Sequence, residues 1–290
     1  MSSIPASTAQ LDHSTTGPLV VTDLDGSLWD GDLRCHPETL AAVAELEARG
    51  VELLVATGRQ ALSAEQGLRG NGLVLPSVLL NGALGVDFAS GDRFHVAEFG
   101  ANRARELLAL FESHGVNPVL YLGDGDTAGR PNVTTSPRHR ASMGEHFEVA
   151  DPEAVVADRP ILSLAMIGVD RRQVEPLADA MPDGWAEVTV YRDVLYDAAT
   201  PDQHWSIHVQ PAGISKQTGI EAYLQTRDLR PERVIVIGDG NNDLEMLAAA
   251  DVALGVAGGH EEALALADEV IPAPAEGGWA RVLDHLPAGL

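Results

Sequence analysis

The chain has 290 residues, of which 45% are hydrophobic and 21% charged, and its formal net charge is −24. This length suits one large domain or two modest ones, each with its own core. The acidic balance argues against nucleic acid and anionic lipid as partners, and no apolar run reaches the roughly 18 residues that a membrane span needs.

The first segment of the chain, residues 1–17, is rich in Ser, Thr, Ala and Pro. It lacks the basic start and the apolar stretch of a secretory signal, so we predict a disordered leader. Cys35 is the only cysteine and cannot form an internal disulfide, which fits a reducing compartment. We therefore expect a cytoplasmic protein, and the composition leaves its oligomeric state open.

Apolar segments and helical patterns alternate through much of the chain. Short apolar runs that end in small or acidic residues are 18–23, 51–58, 77–82 and 233–240. Such runs are typical of strands buried on both faces of a parallel sheet. Helical spacing of apolar side chains is found at residues 37–49, 215–225 and 243–250. This alternation predicts βαβ units and an α/β fold with a doubly wound, Rossmann-like parallel sheet.

The pattern changes between residues 85 and 204, where we predict a second α/β domain inserted into the first. Its predicted elements are a helix at 102–114, strands at 118–122 and 161–167, a helix at 172–180, and short strands at 186–191 and 194–196. Residues 204–209 are predicted to return the chain to the first domain. The organisation is then a leader at 1–17, a core of 18–84 and 205–290, and an insert of 85–204. Within the insert, Arg138-His139-Arg140 is predicted to be an exposed basic turn, and contact with an anionic substrate is the alternative.

Polar residues are concentrated where the predicted core strands end. Ligands of doubly wound sheets bind beyond the carboxyl ends of the strands. The residues at these ends are Asp23, Asp25, Thr57, Gly58, Asn81, Gly82 and those from Gly238 to Asp243. The sequence therefore predicts that they share one site at one edge of the sheet.

The segment Asp23-Leu24-Asp25-Gly26-Ser27 follows the first predicted strand. In an extended chain residues i and i+2 point the same way, so both carboxylates can face one site. Two carboxylates suit Mg²⁺, which takes oxygen ligands. If Asp25 binds the metal through its backbone carbonyl, its carboxyl is free to act as a general acid and base. A solvated acidic turn is the alternative for this segment taken alone.

A second acidic cluster, Gly238-Asp239-Gly240-Asn241-Asn242-Asp243, follows the fourth apolar run. Asp239 could complete a metal site, supported by Asp243. The rival interpretation is the dinucleotide fingerprint G-x-G-x-x-G, but its third glycine is replaced here by Asp243, whose carboxylate would repel a pyrophosphate. A phosphate-loop NTPase is excluded because the chain contains no G-x-x-x-x-G-K-[ST].

Two further positions offer groups that bind phosphate. Thr57-Gly58-Arg59 presents a hydroxyl and backbone amides at a predicted helix start, although a routine strand-to-helix turn would have the same pattern. Lys216 is the only lysine among 19 basic residues. It stands near a helix start, where the helix dipole disfavours a cation, so a compact ammonium is predicted to have a role there.

Taken together and in this order, D-x-D-G-[ST], T-G-R, a lone Lys and G-D-x-x-N-D resemble the haloacid dehalogenase superfamily of phosphatases. The position of the insert, and the sequence Leu80-Asn81-Gly82-Ala83 before it, resemble the subclass with a large α/β cap, the Cof-type sugar phosphatases. The resemblance covers about residues 18–84 and 205–285 and is loose in the insert. Ser27 stands where this family more often has Thr, and it keeps the hydroxyl.

The resemblance implies roles for the matching residues. Asp23 would be the nucleophile and Asp25 the general acid and base. The phosphate ligands would be Thr57, Gly58, Lys216 and Asn242, and Arg59, Asn81 and Gly82 would contact substrate. The Mg²⁺ site would be formed by Asp23, Asp25, Asp239 and Asp243.

The predicted function is a Mg²⁺-dependent phosphatase that acts on a small phosphorylated metabolite, expected to be a sugar phosphate, through an aspartyl-phosphate intermediate. One alternative is a phosphomutase, which would use the same nucleophile but shield the intermediate from water. The other is a catalytically silent binding protein on the same fold, which the presence of both Asp23 and Asp25 argues against.

Overall fold

The computed structural model describes residues 17–192 and 203–288. In the described part of the chain the strands are β1 (Leu19–Thr22), β2 (Glu52–Ala56), β3 (Pro76–Leu79), β4 (Leu84–Asp87), β5 (Arg93–Val96), β6 (Val119–Leu122), β7 (Thr127–Gly129), β8 (Phe147–Val149), β9 (Ile161–Asp170), β10 (Ala186–Arg192), β11 (Gln203–Pro211), β12 (Val234–Gly238), β13 (Val252–Val256) and β14 (Glu269–Ile271). The α-helices are α1 (Pro37–Ala48), α2 (Ala61–Gly70), α3 (Ala101–Ser113), α4 (Pro137–Met143), α5 (Pro152–Asp158), α6 (Arg171–Asp179), α7 (Lys216–Arg227), α8 (Leu244–Ala249) and α9 (Glu261–Leu266). No helix in these ranges combines the length and the apolar character that crossing a membrane requires.

The first sheet has eight strands in the order β14-β13-β12-β1-β2-β3-β4-β5. Strands β14 to β3 are parallel, whereas β4 and β5 are antiparallel additions at one edge. All four residues of β1 are buried, as expected for a central strand covered by helices on both faces. The predicted α/β fold with a doubly wound parallel core is confirmed.

The second sheet has six strands in the order β10-β11-β9-β6-β7-β8, and all its pairings are antiparallel except β7 with β8. Leu164 and Ile207 of this sheet and Leu107 and Phe111 of α3 are buried together in a separate apolar cluster. We use the name insert for this sheet with helices α3 to α6.

The structure places both ends of the insert several residues later than predicted. Strands β4 and β5, which fall in the predicted insert of 85–204, belong to the first sheet. Strand β11, which was predicted to return the chain to the core at 204–209, pairs with β9 and β10 in the second sheet. In β11 apolar and polar residues alternate, and Ile207 and Val209 pack into the insert's apolar cluster. Such a pattern predicts a strand, but it does not reveal which strand is its partner.

The helices and strands that were predicted otherwise match the structure to within a few residues. Of α2 only the start was predicted, and β7, β8, β13, β14, α4, α5 and α9 were not predicted. The predicted strand at 194–196 and the predicted leader up to residue 16 lie outside the described residues.

Candidate active site

The carboxyl ends of β1, β12, β2 and β3 bring the predicted site residues together. Thr22 is in register with Ile237 of β12 and with Val55 of β2. The N–H of Asp23 donates to the carbonyl of Ile237 over 2.9 Å, which extends the ladder by one residue. The side chain that follows each strand therefore emerges at the same edge of the sheet.

Lys216 joins two carboxylates in the interior of this edge. Its Nζ donates to Asp23 Oδ1 and to Asp243 Oδ1, each over 2.6 Å. The lysine is 1% exposed and Asp243 is 0% exposed. Burial alone would lower the pKa of Lys216, but the two carboxylates outweigh it and raise that pKa. The ammonium is therefore held charged against the predicted nucleophile.

Helix α7 begins at Lys216 because Ser215 caps it. The Ser215 hydroxyl accepts from the N–H of Thr218, and the Thr218 hydroxyl accepts from the N–H of Ser215 over 3.0 Å. These two bonds satisfy backbone donors that a helix start leaves free. The capped turn fixes Lys216 at the first helical position, and the neighbouring carboxylates offset the unfavourable helix dipole there.

Asp239 completes an acidic cluster with Asp23 and Asp243. One ligand oxygen from each of the three carboxylates lies within 4.8 Å of the others. Asp243 Oδ2 accepts the N–H groups of Asp239 and Gly240 over 2.9 and 2.8 Å, so it shapes the loop that carries Asp239. Ser27 donates its hydroxyl to Asp239 Oδ1 over 3.0 Å, which gives the family's variable Ser or Thr position a defined contact.

This cluster fits a hard divalent cation. Burial raises the pKa of Asp239 to about 7, and repulsion from Asp243 adds to the rise. Burial likewise raises the pKa of Asp23 well above its ordinary value, although Lys216 pulls it down. One ammonium only partly offsets the mutual repulsion of the three carboxylates. Mg²⁺ prefers such oxygen ligands. Gly26 permits the close approach, since a Cβ there would lie 2.4 Å from Asp239 Oδ2.

The side chain of Asp25 is bound by donors outside this cluster. Its Oδ2 accepts from Arg59 Nε over 2.5 Å, and its Oδ1 accepts from Arg59 Nη2 over 2.7 Å. A third donor, the indole Nε1 of Trp29, reaches Oδ1 over 3.0 Å. The carboxylate is therefore not one of the three clustered ligands, and metal binding by the Asp25 carbonyl stays a prediction.

Thr57, Gly58 and Asn242 line the cavity in front of Asp23, where they were predicted to bind phosphate. Asn81 and Gly82 do not line it. Asn81 is buried and accepts the amide of Asn242 over 3.0 Å. At Gly82 φ is +108° and a Cβ would lie 2.0 Å from the Ser215 carbonyl oxygen. The turn after β3 therefore packs these two residues behind the lining, and their contact with substrate stays a prediction.

The cavity has a volume of about 1220 Å³ and lies between the first sheet and the insert. On the core side it is lined by predicted site residues, namely Asp23, Asp25, Thr57, Gly58, Arg59, Asp239 and Asn242. A contact across it is given by Asn241, whose Nδ2 donates to the Val190 carbonyl of β10 over 2.9 Å. The strand β10 is thereby tied to the loop that carries Asp239.

The insert contributes an aromatic wall that we define as Tyr121, His139, Tyr191 and His208, all of which line the cavity. The Tyr121 hydroxyl lies 3.1 Å from His139 Nε2, and the Tyr191 hydroxyl lies 3.0 Å from His208 Nε2. The rings of Tyr121 and His208 are stacked with centroids 6.4 Å apart. Tyr121, Tyr191 and His208 were not predicted as site residues, since they come from separate elements and match no motif, and His139 was considered only as part of a basic cluster.

The two histidines of the aromatic wall are neutral at physiological pH. Burial lowers the pKa of His139 to about 4, with Arg59 adding to the effect. Burial lowers the pKa of His208 to about 3, with His139 adding to the effect. The prediction of an exposed basic turn was wrong for His139, because α4 turns this residue inward onto Tyr121. The only available signal was a histidine flanked by Arg138 and Arg140, which does not distinguish the two positions.

A family model described as haloacid dehalogenase-like hydrolase matches residues 20–283. Among curated proteins, the 5-amino-6-(5-phospho-D-ribitylamino)uracil phosphatase of Bacillus subtilis is 25% identical over 283 residues, which is 91% of this chain and 96% of the relative. The pyridoxal phosphate phosphatase of Escherichia coli is 21% identical over 260 residues, covering 88% of this chain and 93% of the relative. The chain also matches 43% of the length of the chloroplastic endoribonuclease YBEY of Arabidopsis thaliana, at 22% identity over 261 residues, or 87% of this chain.

Solved structures share the whole fold. A haloacid dehalogenase-like hydrolase from B. subtilis superposes with a TM-score of 0.75 at 18% identity, covering 93% of this chain and 99% of that one. A subclass IIB sugar phosphatase of the same superfamily gives a TM-score of 0.71 at 19% identity, covering 93% and 98%. At these identities the likeness establishes the arrangement of the core and the insert and leaves the substrate open.

Proposed function

Because the chain belongs to the haloacid dehalogenase-like hydrolases and is a phosphoric monoester hydrolase, we propose that it removes phosphate from a small metabolite with Asp23 as nucleophile. The family inferred from the four motifs is thereby confirmed, and the solved subclass IIB structure shares the fold of the core and the insert. The observation that supports the chemistry best is the buried contact of Lys216 with Asp23 and Asp243 over 2.6 Å, at the edge of the same cavity that Asp25 lines.

Asp23 is held for attack from one side of the incoming phosphate. Its backbone is fixed by β12, and its Oδ1 is bonded to Lys216. Nucleophilic attack on phosphorus requires the attacking and leaving oxygens to lie roughly in line, so most of the catalysis is positioning and charge stabilisation. Lys216 places a fixed positive charge where the transferred phosphoryl group carries its negative charge.

The residues that would hold Mg²⁺ are Asp23, Asp239 and Asp243, and we propose the Asp25 carbonyl as a further ligand. When bound, the ion neutralises charge on the phosphoryl oxygens. Thr57, Gly58 and Asn242 would bind the remaining phosphate oxygens, since a hydroxyl, a backbone amide and a carboxamide all donate hydrogen bonds. The supporting observation is that all three line the cavity in front of Asp23.

Asp25 would donate a proton to the leaving oxygen and then take one from the water that hydrolyses the aspartyl phosphate. Its carboxylate now accepts three N–H groups from Arg59 and Trp29. Arg59 also lines the cavity, so it could turn to a bound phosphate. In this mechanism Arg59 would therefore bind both Asp25 and the phosphate of the substrate.

The insert would select the leaving group. We propose a sugar phosphate as the substrate class, in keeping with the sugar phosphatase among the structural neighbours. The aromatic wall gives a second candidate class, phosphates whose alcohol carries a flat heterocycle, since rings stack on aromatic side chains. Two relatives are named for substrates of that kind, a ribitylaminouracil phosphate and pyridoxal phosphate.

The test is phosphate release from a panel of phosphorylated sugars, phosphoglycerates, nucleotides and pyridoxal phosphate, with Mg²⁺ and with EDTA. We expect release that needs the metal and that is abolished by Asp23→Asn, whereas Asp228→Asn at the exposed end of α7 should retain wild-type rates. Equal rates with EDTA, or in Asp23→Asn, would refute the assignment. Interconversion of phosphate isomers without free phosphate would instead support the mutase alternative.

A further inference from the structure

Trp29 lies close to the two carboxylates in sequence but outside the D-x-D-G-[ST] motif. Its side chain is 0% exposed, and its indole Nε1 donates to Asp25 Oδ1 over 3.0 Å. Two backbone bonds fold the segment back on itself: the Trp29 N–H donates to the Leu24 carbonyl over 3.1 Å, and the Gly26 N–H donates to the Trp29 carbonyl over 3.2 Å. The indole is thus brought beside Asp25 by a tight turn.

The indole ring has no room to move. Gly67 of α2 packs against it, and a Cβ at that position would lie 2.6 Å from Cη2 of the ring. A contact of that length cannot be accommodated without a shift, because interiors are close-packed and yield little. The glycine in α2 therefore creates the space that the ring fills.

The three N–H donors to Asp25 differ in how firmly they are held. Two of them belong to Arg59, a long side chain that lines the cavity and would be attracted to a substrate phosphate. The third belongs to Trp29, which is sealed from the cavity. A bound dianion would compete for the guanidinium but cannot reach the indole. Trp29 is therefore the donor that stays on Asp25 during the reaction.

We propose that Trp29 is the positioning residue of the general acid, holding Oδ1 of Asp25 so that Oδ2 is the oxygen that transfers the proton. The inference rests on the proposed function and adds to it the residue that orients Asp25. In the first step the bond from Asp23 to phosphorus forms, the bond to the leaving oxygen breaks, and that oxygen takes the proton from Oδ2. In the second step Oδ2 takes a proton from the water that attacks phosphorus and releases Asp23.

The test separates proton donation from the rest of catalysis by the choice of leaving group. p-Nitrophenolate leaves without a proton, whereas the alkoxide of glycerol 2-phosphate needs one. For Trp29→Phe, which keeps a ring but removes the N–H, we expect kcat for glycerol 2-phosphate to fall about tenfold with KM within about twofold. The rate of the first-turnover burst of p-nitrophenolate should stay within about twofold of the wild-type rate.

Trp279→Phe is the matched control. Trp279 is also 0% exposed, and its Nε1 donates to Thr22 Oγ1 over 2.9 Å, so this variant loses a buried indole hydrogen bond without touching Asp25. We expect this variant to change the rates for both substrates by the same factor. If Trp29→Phe does not fold, Gly67→Ala carries the test, since it displaces the ring and should produce the same split between the substrates.

The proposal is overturned if Trp29→Phe slows the reactions of both esters equally, or slows neither. A wild-type enzyme that gives no burst and no phosphate from either ester would instead refute the proposed function, so the two failures can be told apart.

Discussion

The edge of the first sheet and the aromatic wall of the insert face the same cavity, but they are built from opposite chemistry. The edge holds a buried ammonium and three clustered carboxylates, which are charged groups suited to a phosphoryl group and a metal. The aromatic wall pairs two tyrosines with two histidines whose pKa is lowered by burial. We therefore propose that the edge performs the reaction and that the wall discriminates among leaving groups.

The sharpest way to break this division is to remove the charge from the edge. Lys216→Met leaves the buried carboxylates of Asp23 and Asp243 without their shared cation. We expect kcat to fall about 10²- to 10³-fold at saturating Mg²⁺, with the same factor for every substrate because the change lies in the chemistry. Arg227→Met, on the same helix but in an exposed ion pair with Asp87, should keep its activity in the steady-state assay. A Lys216→Met enzyme with wild-type rates would contradict the role of the edge.

A second change at the edge addresses the cation. Asp239→Asn removes one of the three clustered carboxylates, so the concentration of Mg²⁺ that gives half-maximal activity should rise about tenfold or more. Ser27→Ala removes only the hydroxyl that donates to Asp239, so it should raise this Mg²⁺ concentration less. A titration of activity with Mg²⁺ measures both. An unchanged requirement in Asp239→Asn would place the cation elsewhere.

The wall is tested by Tyr191→Leu, which removes a ring of the cavity lining. If the wall selects leaving groups, kcat/KM for the best substrate of the panel should fall about tenfold. Acetyl phosphate has no ring to stack, and its kcat/KM should remain within about twofold. Tyr191→Phe, which keeps the ring, should lie closer to wild type. Equal losses for both substrates would remove the distinction between the wall and the edge.

The smallest effect concerns stability and pH. His139 and His208 titrate near 6.5 when unfolded but have a pKa of about 4 and about 3 in the fold. The unfolded chain therefore binds more protons below pH 6.5, and stability falls as the pH drops towards 4. By pH 5 each histidine should destabilise the fold by about 2 kcal/mol. Denaturant unfolding of wild type and His208→Gln at pH 7.5 and pH 5 checks this, and an equal pH response in both would contradict it.

The site residues at the edge could be predicted from the sequence because they are close together in short segments. Asp23 and Asp25 are two positions apart on one strand end, and Asp239 and Asp243 share one loop. Parallel strands then bring these loops together by topology alone. Lys216 could be identified because a lone lysine at a helix start is out of place unless carboxylates surround it, which is what the structure contains.

The wall and the insert's last strand were not readable because they depend on distant pairings. His208 lies on β11, whose alternating pattern indicates a strand but not that its partners are β9 and β10. Strand β5 was missed for another reason, since it is short and no residue of it is fully buried. Trp29 was overlooked because its apolar ring suggests packing, and only the structure gives its N–H a partner in Asp25.

The central claim is that Asp23 carries the phosphoryl group. The direct measurement is to mix enzyme, Mg²⁺ and the best substrate of the panel, quench with acid within the first turnover, and map the phosphorylated peptide by mass spectrometry. The account predicts one phosphoryl group on Asp23 in the wild type and none in Asp23→Asn. Phosphate release without any covalent intermediate, or a phosphoryl group on another residue, would contradict it.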